Sequence, residues 1–276
     1  MNLLPPLWLT IDTDDFFHHP KFQGHPTRSK QQTKQKTISD AMKLSIKQFE
    51  KWHYSNLTAP VTIFIIGEQL KCSEFKKLLG DLLLESKKKG GVITIGCHGY
   101  THTCWSAFEP NNESFKMDLV LAKKIIKSFA GDFWRPWFRA PGGYVAPWMA
   151  KILKDEKFIL DSSINPTKFL SMKSGKGEKK LRFNGWNSIH KAMNDVGIVE
   201  RPWLTTFYPA LPACGPALHI PILKNLASAT WKKYSKGHFA NEKEILNPNI
   251  KITTVYWHLL DHSKKNGCWV PPLIRK

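Results

Sequence analysis

The chain has 276 residues, 42% of them hydrophobic, with 11 Trp and 16 Phe, which excludes a disordered tail or fibrous repeat and suffices for a buried core. Lys and Arg number 41 against 22 Asp and Glu, a formal net charge of +19. Such a charge points to a negative partner: nucleic acid, an anionic membrane surface, or a phosphorylated or acidic substrate. An evenly lysine-rich surface is the plain alternative, but the bases gather in 21–51 and again in 168–182, where six stand against Glu178.

A strand over 7–11 runs into Asp12, Asp14 and Asp15, and Ala41, Met42, Ile46 and Phe49 give helical spacing to 38–52. A second strand, 61–66, leads through Gly67 to a helix whose Leu70, Phe75, Leu78, Leu79 and Leu82 to Leu84 would face a sheet; Lys87, Lys88, Lys89 and two glycines stop it. A third strand, 92–95, ends at Gly96, Cys97 and His98, and Met117, Leu121, Ile125 and Phe129 mark one face of a helix over 115–129. A fourth, 133–138, enters Arg139 and Pro141 with a helix over 146–157 behind it, and a short fifth, 158–160, ends at Asp161.

From 165 to 189 glycine, lysine and serine carry no period, so a basic excursion or lid near 165–190 is expected. A strand over 196–200, a proline-rich loop over 201–221, a helix over 222–234 and a strand over 253–256 ending at His258 follow. The pattern is βα repetition. One domain over 1–276 is expected, because the chemically competent residues from Asp12 to His258 all follow candidate strands, where parallel α/β folds build their sites.

Cys72, Cys97, Cys104, Cys214 and Cys268 include no CxxC pair, and their odd number argues for a reducing compartment. The opening residues meet Asp12 too soon for a secretory signal, and no run reaches the ~18–20 apolar residues of a membrane span. A cytoplasmic protein is expected, with peripheral contact at the inner face of the membrane left open by the charge.

His98 and His102 stand four apart in HGYTH, which lets two imidazoles meet one ion if the segment turns like a helix or tight loop; otherwise they only hydrogen-bond within it. A carboxylate from Asp12, Asp14 or Asp15 would complete a His-His-Asp set with positions left for water and substrate. The acids of DTDD are too close to stay charged cheaply without a cation or arginine, so one as ligand and another as base is an economical division; a helix cap or solvated turn is the alternative. Arg139 offers a fork to a carboxylate or oxyanion, and Asp161 could fix that arginine. His258, in YWHLLDH, could return a proton to a leaving group, with His262 as its competitor.

The order of these pieces resembles the polysaccharide deacetylase family, also called the NodB-homology or carbohydrate esterase family 4 proteins, over most of the chain from Leu7 to His262. TIDTDDFF is similar to the family's first motif, in the variant with a residue between the two functional acids. HGYTH is similar to the second, RAPGGY to the third, ILDSSINP to the fourth, and VYWHLLDH, which lacks the usual proline after the histidine, to the fifth. The resemblance implies an α/β fold, an irregular (β/α)7 barrel, and metal-assisted hydrolysis of an N-acyl group on a sugar. It makes Asp12 the base, Asp14 or Asp15 with His98 and His102 the ligands of a divalent metal, Arg139 the residue that orients the base, Asp161 its support and His258 the general acid. Zinc is the expected metal, ahead of cobalt, nickel or manganese.

Charge and the missing export signal make the expected substrate an N-acetyl or N-formyl amino sugar linked to a nucleotide or polyprenyl phosphate, an intermediate of surface glycan synthesis. Two alternatives are a noncatalytic carbohydrate-binding protein on the same fold, raised by the altered fifth motif, and an amidase of a small non-peptide amide. Specific nucleic acid binding is not expected, since zinc-finger spacing, an RNP-like strand and a recognition-helix motif are missing.

Overall fold

The structure, a computed structural model, describes residues 4–18, 37–175, 185–207, 210–263 and 269–273. Seven strands, β1 (Leu7–Asp12), β2 (Val61–Ile65), β3 (Ile93–Cys97), β4 (Trp134–Phe138), β5 (Leu160–Asp161), β6 (Val199–Glu200) and β7 (Thr253–His258), form one parallel sheet in the order β6-β5-β4-β3-β2-β1-β7. Helices α1 (Asp40–Tyr54), α2 (Ser73–Lys88), α3 (Asn112–Ala130) and α4 (Met149–Asp155) follow the first four strands. Helix α5 (Gly185–Asp195) lies between β5 and β6, and α6 (Pro221–Tyr234) and α7 (Glu242–Leu246) precede β7. The sheet is open and curled, and an isolated parallel bridge from Trp203 to Thr254 brings the segment after β6 to the opposite edge. This is the irregular (β/α) arrangement expected, with β5 and β6 reduced to two residues each.

A fully buried parallel strand is apolar on both faces, and its side chains still alternate. On β1, Leu7, Leu9 and Ile11 join the core under the helices, whereas Trp8 packs with Phe64, Trp137 and Leu160 inside the curl. The inner face then turns polar toward the strands' C-terminal ends: Trp8, Thr10 and Asp12 on β1 stand in register with Thr254, Tyr256 and His258 on β7. Gly96 on β3 pairs with Phe64. A Cβ at Gly96 would sit 2.6 Å from the Phe64 ring, so only glycine leaves that ring its place. The apolar floor of Trp8, Phe64 and Trp137 thus supports a polar layer above it.

Three expectations need correction. On α3 the buried face is Phe115, Leu119, Ala122 and Ile126; Met117 and Leu121 are exposed, because the sheet meets the stripe one residue off the spacing chosen. The excursion near 165–190 ends in α5, whose Ile189 and Met193 are buried; its residues 176–184, like 19–36 of the first basic stretch, lie outside the described residues. Helix α7 was not expected, although Asn241 and Glu244 form a capping box at its start.

Candidate active site

Arg139, directly after β4, is fully buried and organises the floor of the site. Its Nη1 donates to Asp12 Oδ1 at 2.8 Å, its Nη2 to Thr10 Oγ1 at 2.8 Å and Ser162 Oγ at 3.0 Å, and its Nε to Ser162 O at 2.8 Å. The guanidinium stands 4.3 Å from the Phe64 ring centroid and 5.3 Å from that of Tyr256. A buried cation held by four hydrogen bonds and aromatic faces fixes its carboxylate partner in one orientation. Asp12, as the last residue of β1, is therefore rigidly placed at the rim of the sheet.

The histidine pair sits on a loop of tight turns, not on a helix. Gly99 has φ +72°, and His102, a non-glycine residue, is also left-handed at φ +59°, a conformation that costs about 1 kcal/mol or more and swings its ring back toward His98. The strain is held by α3: Asp118 accepts the Tyr100 N–H at 2.8 Å. The two rings then meet edge to face with centroids 5.0 Å apart.

Both rings address Asp14. His102 Nε2 lies 2.6 Å from Asp14 Oδ1 and His98 Nε2 lies 3.4 Å from Oδ2. His98 Nδ1 is 2.8 Å from the Arg139 carbonyl oxygen, a contact in which Nδ1 donates and which turns Nε2 toward Asp14. Asp14 Oδ2 is buried and receives no hydrogen bond among the described residues. A proton or an ion can supply the positive charge these contacts call for, and two imidazoles with one carboxylate are a donor set that fits a divalent metal. Burial opposes the charge on Asp14, but His102 and His98 outweigh it and hold its pKa well below the carboxylate range.

Residues 55–158 match the family profile of polysaccharide deacetylases, a window that contains His98, His102 and Arg139. Over that window the chain is similar to the polysaccharide deacetylase family. Among solved structures, a Mycobacterium smegmatis protein assigned to the polysaccharide deacetylases matches 95% of this chain and 79% of its own, at 13% identity and a TM-score of 0.54, and shares the fold. A 4-alpha-glucanotransferase of Thermococcus litoralis matches 94% of this chain and 34% of its own, at 11% identity and a TM-score of 0.45. No curated protein sequence matches.

Asp14, His98 and His102 form one potential metal cluster, and Asp12, Asp14 and His258 offer atoms within 4.8 Å of one another in a second group. Asp15 stands apart from both. It accepts from Ser39 N at 2.8 Å, Ser39 Oγ at 2.6 Å and Phe16 N at 2.7 Å, and Ser39 in turn caps α1. Of the two candidates for a metal-binding aspartate, Asp14 is thus the one beside the histidines, while Asp15 ties β1 to α1.

Asp161 is placed differently from expectation. Alternation points Leu160 into the curl and Asp161 to the other face, where it accepts from Ser163 N and Oγ at 3.2 and 2.6 Å. Its strand partner Glu200 is buried beside it. Hydrogen-bond support for Arg139 comes from Ser162 instead, and Asp161 feels the arginine only through charge.

His258 closes β7 beside Asp12. Its backbone N–H donates to Asp261 Oδ2 at 3.0 Å, its Nδ1 lies 3.9 Å from the same oxygen, and His219 Nε2 lies 3.0 Å from Asp261 Oδ1. His262 is buried on the helix side, accepting from the Trp257 indole at 3.0 Å and packed on Phe49, and burial pushes its pKa down to about 4. Sequence reading missed Ser162, Glu200, His219 and Asp261; only Asp261, three residues after His258, carried a local signal. It also missed His18, a buried residue whose ring centroid lies 5.7 Å from that of His102.

Proposed function

We propose that the chain is a metal-dependent hydrolase that cleaves the C–N bond of an N-acetyl or N-formyl amino sugar and releases acetate or formate. The observation that carries this reading is the sorting of two acids, two residues apart, to different partners: Asp12 to Arg139 and Asp14 to the histidine pair. Asp14, His98 and His102 would hold the ion, and zinc suits two imidazoles and a carboxylate. When bound, the ion supplies a Lewis acid for the acyl oxygen and a more acidic water.

The chain's own residues do the proton work. Asp12, oriented through one oxygen by Arg139, takes the proton of the attacking water as its oxygen bonds to the acyl carbon. His258, across the site, gives a proton to the amine nitrogen as the C–N bond breaks. Arg139, with no path to solvent, keeps Asp12 in place through both steps. The net charge of +19 supports a substrate carrying phosphate, a nucleotide-linked or polyprenyl-phosphate-linked sugar met inside the cell, with 1–276 acting as one domain.

Metal analysis coupled to acetate or formate release from a panel of N-acyl amino sugars tests the assignment. His98→Ala is expected to lose bound metal and activity together; Asp12→Asn is expected to keep the metal and lose about a hundredfold or more in kcat. Full activity in either variant overturns it.

A further inference from the structure

The outward face of α6 mixes exposed aliphatic side chains with Asn225 and lysines and has no part in the chemistry above. The helix buries Ala227 and Trp231, the Trp231 indole donating to the Ala213 carbonyl at 2.6 Å. At about 3.6 residues per turn, Ile222, Leu226 and Ala229 fall on the opposite side. Ile222 is 88% exposed, Leu226 42%, and Ile220, immediately before the helix, 44%. Lys232 and Lys233, both exposed, continue the face at its C-terminal end. Between 201 and 241 the chain has no Asp or Glu and five bases. The patch also adjoins the site, since Ile220 follows His219, whose ring meets Asp261 beside His258.

We propose that this face docks on an anionic lipid bilayer, with the aliphatic side chains among the lipid headgroups and upper acyl chains and the lysines against lipid phosphates. Charge complementarity selects this occupant. A second copy of the chain would bring a further +19 against the first. A nucleic acid would use the lysines and gain nothing from exposed isoleucine and leucine. A negative bilayer uses both. No helix among the described residues is long and apolar enough to cross a membrane, so the association is with the membrane surface. As a statement about substrate, a lipid-linked sugar presented at the site, the proposal rests on the hydrolase reading; as a statement about binding it does not.

Sedimentation of the full chain with vesicles, without substrate, therefore tests it separately. Phosphatidylcholine vesicles containing phosphatidylglycerol are expected to bind the protein at least about tenfold more strongly than phosphatidylcholine alone, with the difference shrinking at high salt. Ile222→Asp with Leu226→Asp is expected to weaken that binding at least about tenfold at an unchanged circular dichroism spectrum. Lys232→Glu with Lys233→Glu, which leaves the aliphatic patch intact, is expected to weaken it as well. The proposal is overturned by equal binding to both vesicle types, by aliphatic and lysine variants that bind like the parent, or by a patch that mediates dimerisation or RNA binding in place of vesicle binding.

Discussion

Asp12 and Asp14 are separated by one residue, yet their surroundings assign them opposite tasks. Asp12 is the last residue of a strand and inherits that strand's rigidity, reinforced by a 2.8 Å ion pair to a buried arginine. Asp14 has left the strand and meets two imidazoles. The His258 backbone N–H donates to Asp261, whose other carboxylate oxygen lies 3.0 Å from His219 Nε2. His219→Ala is expected to lower kcat about tenfold with KM and metal content unchanged, and His219→Gln, which keeps a polar nitrogen near that oxygen, to recover most of the loss. Equal losses in both variants, or an effect confined to KM, would remove His219 from the positioning network.

At the scale of elements, the two-residue period of the strands decides what reaches the site. It sends Thr10, Asp12, Tyr256 and His258 into the curl and turns Asp161 away. The same period makes β3 dependent on Gly96. An added Cβ would meet the Phe64 ring at 2.6 Å and the Trp137 carbonyl oxygen at 3.2 Å, and the Phe64 ring is itself covered by Arg139. Gly96→Ala is expected to cost about 1–3 kcal/mol of stability, read as a lower denaturant midpoint at unchanged slope; an unchanged midpoint would show that this layer yields. The pair His98 and His102 is likewise a property of an element, a strained turn that α3 holds through Asp118.

For the whole molecule, buried titratable groups set limits on stability at both ends of the pH scale. His53 and His262 are buried, and their pKa values fall from 6.5 to about 4. Unfolding lets them bind protons, so their contribution is complete above pH 6.5 and is lost as pH falls toward 4, on the order of 3 kcal/mol each. Glu200 acts in the opposite sense. Burial, then the neighbouring Asp161, raises its pKa well above the glutamate range, so its contribution is present below that range and lost as pH rises through the raised value. Thermal unfolding followed against pH is expected to show both slopes, with Glu200→Gln flattening only the loss of stability on rising pH. A loss on rising pH unchanged by that substitution would assign it to other groups.

Much of this organisation is legible in the sequence, because apolar period and strand-end chemistry are local. The βα order, the seven strands and the approach of His98 and His102 to an acidic cluster follow from runs of a few residues each. Other features depend on register between distant segments: the choice between Asp14 and Asp15, the outward turn of Asp161, the burial of His262 beside an exposed-side His258, and the arrival of Ser162 and His219 at their partners. A local pattern states which side chains could share a face, whereas contact between distant segments, as in the Thr10 hydroxyl bond to the Val255 carbonyl across 245 residues, decides which of them meet.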